Sequence, residues 1–77
     1  MDWQPRIETD PAICGGRPRV KGTRLTVEFL LGLKAAGWTE VQILENYPHL
    51  SAEDLQAVYA FAQALIEEEK FVLPGAA

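Results

Sequence analysis

Downstream of residue 25 the apolar residues fall at helical spacing in three blocks, whereas upstream they stand singly or in pairs between turn-forming residues. Thr26 can cap a first helix that runs to Gly37, with Glu28 in the first turn, where the positive end of the helix favours an anion. Val27, Leu30, Leu31, Leu33, Ala35 and Ala36 make that helix apolar over more than half its circumference, broader than one small core requires. Thr39-Glu40-Val41-Gln42 has the form of a capping box. It predicts a short second helix with Val41, Ile43 and Leu44 inward, closed at Tyr47 because Pro48 disfavours helical geometry in the residue before it. Ser51 caps a third helix over residues 52–70, whose Leu55, Val58, Tyr59, Ala62, Leu65 and Ile66 trace one buried face. Upstream, residues 6–9 lie between Pro5 and Asp10-Pro11 and predict a short strand. Residues 12–16 predict a connecting turn, 17–20 a second extended piece restricted to a sheet edge by Pro18, and 21–23 a further turn.

Three helices joined by short connections predict a mainly α fold, a helix-turn-helix or homeodomain-like three-helix unit with a short N-terminal β segment or hairpin. The chain reads as one domain over residues 1–77: a β-containing basic arm at 1–25, the three-helix unit at 26–70, and a tail at 71–77 that frays past Leu73. Ala57, Ala60, Phe61 and Ala64 form a second, flatter apolar face on the third helix. With Leu30 from the broad first helix they predict a homodimer interface, since a monomer rarely exposes such a patch. In helix-turn-helix units the last helix is offered to the DNA major groove. Here its first turns carry Glu53 and Asp54, which phosphates repel, and only Gln56 could read an adenine edge.

The charge distribution changes this picture. Residues 1–37 hold six Lys and Arg against four Asp and Glu, whereas residues 38–77 hold one against seven, within a net charge of −4. Arg17, Arg19, Lys21 and Arg24 crowd into eight positions, so DNA binding is expected through Arg17, Arg19, Lys21, Gly22, Thr23 and Arg24, where cations displace counterions from phosphates. The acidic half, at Glu53, Asp54, Glu67, Glu68 and Glu69, suits a basic protein partner. The run from Gly16 to Thr23 has the wrong order of Gly, Lys and Thr for a nucleotide-hydrolysing phosphate loop. One cysteine excludes an internal disulfide, and one histidine beside it gives no structural zinc set, so neither metal nor cofactor is expected. Cys14 lacks an adjacent base and reads as a small buried filler, His49 as a solvent-facing or capping turn residue, and Trp38 and Tyr47 as core rings with polar tips. No apolar run reaches the length of a membrane span and the N-terminus lacks a secretion signal, so a soluble cytoplasmic protein is expected. No nucleophile and base stand at useful spacing, and no catalytic residue is assigned.

The run Ile13-Cys14-Gly15-Gly16-Arg17-Pro18-Arg19-Val20-Lys21-Gly22-Thr23-Arg24-Leu25-Thr26-Val27, followed by Gly37-Trp38-Thr39 and Tyr47-Pro48-His49-Leu50, resembles domain-of-unknown-function family 433 from about Ile7 to Phe71. The resemblance implies a small bacterial or archaeal protein with N-terminal β-structure and a homeodomain-like helical part. Such proteins are often encoded next to a nuclease-like toxin and are classed with VapB-type antitoxins, without enzyme activity. Where the family often has Ile-Pro-Val after Gly-Thr-Arg, this chain has Leu25-Thr26-Val27, in which a cap replaces the proline. Two functions follow as expectations: an antitoxin that dimerises, covers a basic nuclease-like toxin and binds its own operator DNA, or a structural dimerisation module without DNA binding.

Overall fold

The computed structural model describes residues 1–69; the Lys70 end of the third helix and the tail at 71–77 lie outside them. Its elements are β1 (Ile7–Glu8), β2 (Arg19–Val20), α1 (Val27–Ala35), α2 (Glu40–Asn46) and α3 (Ala52–Glu69). Three helices and a two-stranded antiparallel hairpin therefore make a mainly α domain, as the apolar pattern indicates.

Each helix begins where a short polar side chain satisfies the free backbone donors. The Thr26 hydroxyl accepts from the Phe29 N–H at 3.0 Å. Gln42 donates its N–H to the Thr39 hydroxyl at 3.1 Å while its side-chain oxygen accepts from the Thr39 N–H at 2.8 Å, completing the capping box. Ser51 and Asp54 repeat that reciprocal arrangement, with Asp54 N–H donating to the Ser51 hydroxyl and Ser51 N–H to the Asp54 carboxylate. α1 stops at Ala35 because Gly37 adopts φ +96°, which lets Trp38 N–H reach the Leu33 carbonyl and Gly37 N–H the Lys34 carbonyl, both at 3.0 Å.

The strands are shorter than the extended stretches in the sequence. Ile7 pairs with Val20 and Glu8 with Arg19, so Pro18 lies just outside the ladder, where its carbonyl accepts from the Val27 N–H. The connection between the strands turns through Cys14, Gly15 and Gly16, all at positive φ (53°, 64° and 79°). Only Cys14 carries a Cβ there. Gly16 N–H bonds the Ile13 carbonyl and Arg17 N–H the Cys14 carbonyl, which closes the turn.

Ile7 and Val20 of the hairpin join Val27, Leu30, Ile43, Leu50, Leu55, Ala57 and Val58 in one core. Leu30 and Ala57, expected at a dimer interface, are thus enclosed by their own chain. The first half of α3 packs against α1, α2 and β1 at once, so its buried arc is wide enough to take in Ala57 beside Leu55 and Val58. Conversely Leu65 and Ile66, expected in the core, are 43% and 61% exposed. The 18 residues of α3 extend about 27 Å, twice the length of the nine-residue α1, and its last turns outrun their cover. Val41 is also outward, at 64% exposure, since α2 presents only Ile43 fully to the core. Phe61 is half-buried, with Trp3 edge-on to its ring at 4.7 Å.

Candidate functional site

Arg19 organises the basic segment from inside. It is 5% exposed, its guanidinium pairs with Glu8 at 2.7 Å, and a second N–H donates to the Thr23 carbonyl at 2.7 Å. Its Nε is buried without a partner among the described residues. Thr23 is engaged as well: its hydroxyl donates to the Val20 carbonyl at 2.8 Å and accepts from the Leu25 N–H at 3.0 Å. Gly22 supplies φ +79° to the turn at residues 21–24. Arg19 and the Thr23 hydroxyl are therefore corrected from phosphate ligands to internal struts of that turn. A buried guanidinium already neutralised by a carboxylate has nothing left to offer a backbone phosphate.

The other cations divide. Arg17 pairs with Glu28 at 2.9 Å, both side chains exposed, an arrangement worth little because solvent screens it. Lys21 and Arg24 are exposed and make no ion pair among the described residues. Of the four cations crowded together in sequence, these two remain free to meet a ligand.

Across from the turn lies the connection between α2 and α3. Gly22, Thr23, Arg24 and Leu25 on one side and Asn46, Tyr47, Pro48 and His49 on the other enclose a cleft of about 360 Å³. His49, exposed in its turn as expected of a solvent-facing or capping residue, and Tyr47, expected as a core ring, are both wall residues of this cleft. Tyr47 is half-buried with the Phe29 ring edge-on at 5.8 Å, which holds its position. The signal was present in the sequence, since Lys21-Gly22-Thr23-Arg24 and Tyr47-Pro48-His49-Leu50 were two pieces of one signature, but nothing local put them together. Cys14 touches the same turn from behind, its Sγ 3.6 Å from the Arg24 carbonyl.

A second surface lies between α1 and α3. Pro18, Val27, Leu31, Phe61 and Leu65 line an apolar groove of about 510 Å³, with the Arg17 and Glu28 side chains at its edge. Phe61 is the one expected interface residue that lines it, while Ala60 and Ala64 are half-buried on α3. Glu67 and Glu68 are exposed on the helical turn after Leu65, and Glu53 is exposed at the start of α3. The side chain of Glu69 lies outside the described residues. Asp54, expected to face a partner, is corrected: it caps α3 and pairs with Arg6 at 3.0 Å, with 13% of its side chain exposed.

Elsewhere, the Tyr59 hydroxyl is buried with no partner among the described residues, and its pKa is raised, first by burial and second by the charge of Glu40. No group of three or more His, Cys, Asp or Glu able to hold a metal ion occurs among the described residues, and no helix there is long and apolar enough to cross a membrane.

A family model described as "Protein of unknown function (DUF433)" matches residues 7–62, nearly three quarters of the chain. The chain belongs to the DUF433 family. "Uncharacterized protein y4eO" of Sinorhizobium fredii (strain NBRC 101917 / NGR234) is 36% identical over 58 residues, which are 75% of this chain and 26% of that protein. The chain thus spans about a quarter of the length of this relative. A crystal structure of a DUF433 member from Anabaena variabilis ATCC 29413 superposes with a TM-score of 0.78 at 35% identity, covering 84% of this chain and 64% of that one. The DUF433 match takes in the hairpin and both walls of the cleft, whereas Leu65, Glu67 and Glu68 lie beyond its end.

Proposed function

We propose that this DUF433 protein is a non-enzymatic regulatory interaction protein of the cytoplasm, an antitoxin that covers a basic, nuclease-like toxin. The observation that carries the reading is the groove between α1 and α3: apolar in most of its lining, with the exposed Glu67 and Glu68 carboxylates on the helical turn after Leu65. An apolar segment of the toxin seats in the groove, and its flanking cations meet the carboxylates, which steer the encounter. Operator DNA contact, in this reading, falls to Lys21 and Arg24, because Arg19 is internal and Arg17 is paired. With two free cations per chain in the basic segment at 17–24, duplex binding is weak even in a dimer.

The exposed Leu65 and Ile66 favour a second reading, a homodimerisation module that closes on itself through the same groove. Co-expression with the nuclease-like product of an adjacent gene separates the two. An antitoxin restores growth, and both Leu65→Asp and the pair Glu67→Lys, Glu68→Lys abolish the rescue without unfolding the chain. Rescue that survives all these changes refutes the groove as the toxin site. Absence of rescue, together with a mass near twice 8.5 kDa that Leu65→Asp halves, selects the dimerisation module.

A further inference from the structure

The cleft between the turn at 21–24 and the connection at 46–49 is not used by the groove reading, and its lining combines two kinds of chemistry. Arg24 lines it, and the exposed Lys21 stands next to the lining residue Gly22 in sequence. The backbone N–H groups of Gly22 and Arg24 donate to no acceptor among the described residues. Leu25 on the same side, and Tyr47 and Pro48 across from it, add apolar surface. His49 contributes an imidazole and Asn46 an amide whose nitrogen donates to the Gln42 carbonyl at 2.8 Å, leaving its oxygen as an acceptor.

Among the described residues no carboxylate lines this cleft. A neighbouring recess that shares Gly22, Thr23 and Arg24 contains Glu8, whose charge Arg19 neutralises. The turn itself is preset by Arg19 and Thr23, so its cations and amides need little ordering to receive a ligand. A cation and free amides on the turn at 22–24, facing an aromatic ring and a proline on the connection at 46–49, match a phosphate joined to a planar ring. A volume of about 360 Å³ has room for one such unit.

We propose that the cleft binds a single nucleotide unit, with the phosphate on Gly22 and Arg24 and the base against Tyr47 and Pro48. The unit is supplied either by a free mononucleotide or by one residue of a single strand. This site is independent of the groove, so the failure of either reading leaves the other standing.

The test is an amide NMR titration of the whole chain with adenosine monophosphate, inorganic phosphate and an oligothymidylate. Adenosine monophosphate should shift Gly22, Thr23, Arg24, Tyr47 and His49 together, and Arg24→Gln should weaken binding by about tenfold or more. Inorganic phosphate should bind about tenfold more weakly than adenosine monophosphate, since it lacks the ring. Tighter binding of the oligothymidylate through the same resonances identifies a single strand as the source, and equal or weaker binding identifies the free nucleotide. Leu65→Asp should leave these shifts unchanged. The proposal is overturned if millimolar adenosine monophosphate leaves those amides unmoved, if Arg24→Gln binds as the parent does, or if inorganic phosphate matches the nucleotide.

Discussion

Replacing Arg19 should cost this domain a large part of its stability, although a reading of charge alone makes it one of four interchangeable surface cations. Arg19→Ala removes the partner of Glu8, a carboxylate one-third exposed in its pair. Breaking a fully buried pair costs about 3–5 kcal/mol, so about 2 kcal/mol remains after allowing for the water Glu8 retains. The Thr23 carbonyl loses its 2.7 Å donor, which adds about 1 kcal/mol. Lost burial of the aliphatic stem adds about another 1 kcal/mol. The total of about 4 kcal/mol compares with a stability of about 5–10 kcal/mol for a domain this small, and corresponds to a Tm lowered by at least about 15 °C. Arg19→Met, which keeps the stem, should recover about 1 kcal/mol of that. Urea unfolding followed by circular dichroism measures both, with Lys21→Ala and Arg24→Ala as exposed controls expected within about 0.5 kcal/mol of the parent. An Arg19→Ala cost below about 1 kcal/mol, or one no larger than that of Arg24→Ala, would refute the assignment of Arg19 as the strut of the turn.

Two further perturbations test other parts of the fold. Asp54→Ala removes both the reciprocal cap of α3 and the pair with Arg6, and should cost about 1.5–2 kcal/mol by urea unfolding, against less than about 0.5 kcal/mol for Glu53→Ala. Tyr59→Phe deletes a buried hydroxyl without a partner among the described residues and should leave stability at pH 7 unchanged or raise it by up to about 1 kcal/mol. Because the Tyr59 phenol is raised above its ordinary 10.0 by burial and then by Glu40, the unfolded chain ionises first. The contribution of Tyr59 is constant below pH 10 and is lost as pH climbs through the raised value. The alkaline fall in stability should therefore be shallower in Tyr59→Phe, and identical profiles would count against the burial of this hydroxyl.

Much of the helical architecture could be read along the chain because its causes are local. Thr26, Thr39 with Gln42, and Ser51 act on backbone groups within four residues, and Gly37 ends α1 through its own φ, so residue type and spacing suffice to place them. The family combination of Gly-Gly-Arg-Pro, Lys-Gly-Thr-Arg and Tyr-Pro-His-Leu was equally visible. What tertiary structure alone decided is which side chains are spent on the chain itself. Asp54 meets Arg6 across 48 positions, Arg19 turns inward to Glu8 and Thr23, and Leu30 and Ala57 are enclosed where α1, α2 and β1 converge on one half of α3. A cation that pairs within the fold and one that faces solvent look alike in sequence, because the difference lies in a distant partner rather than in neighbouring residues. The cleft follows the same logic: its walls are two turns more than 20 residues apart, each unremarkable alone, and only the packing that sets one against the other makes a site of them.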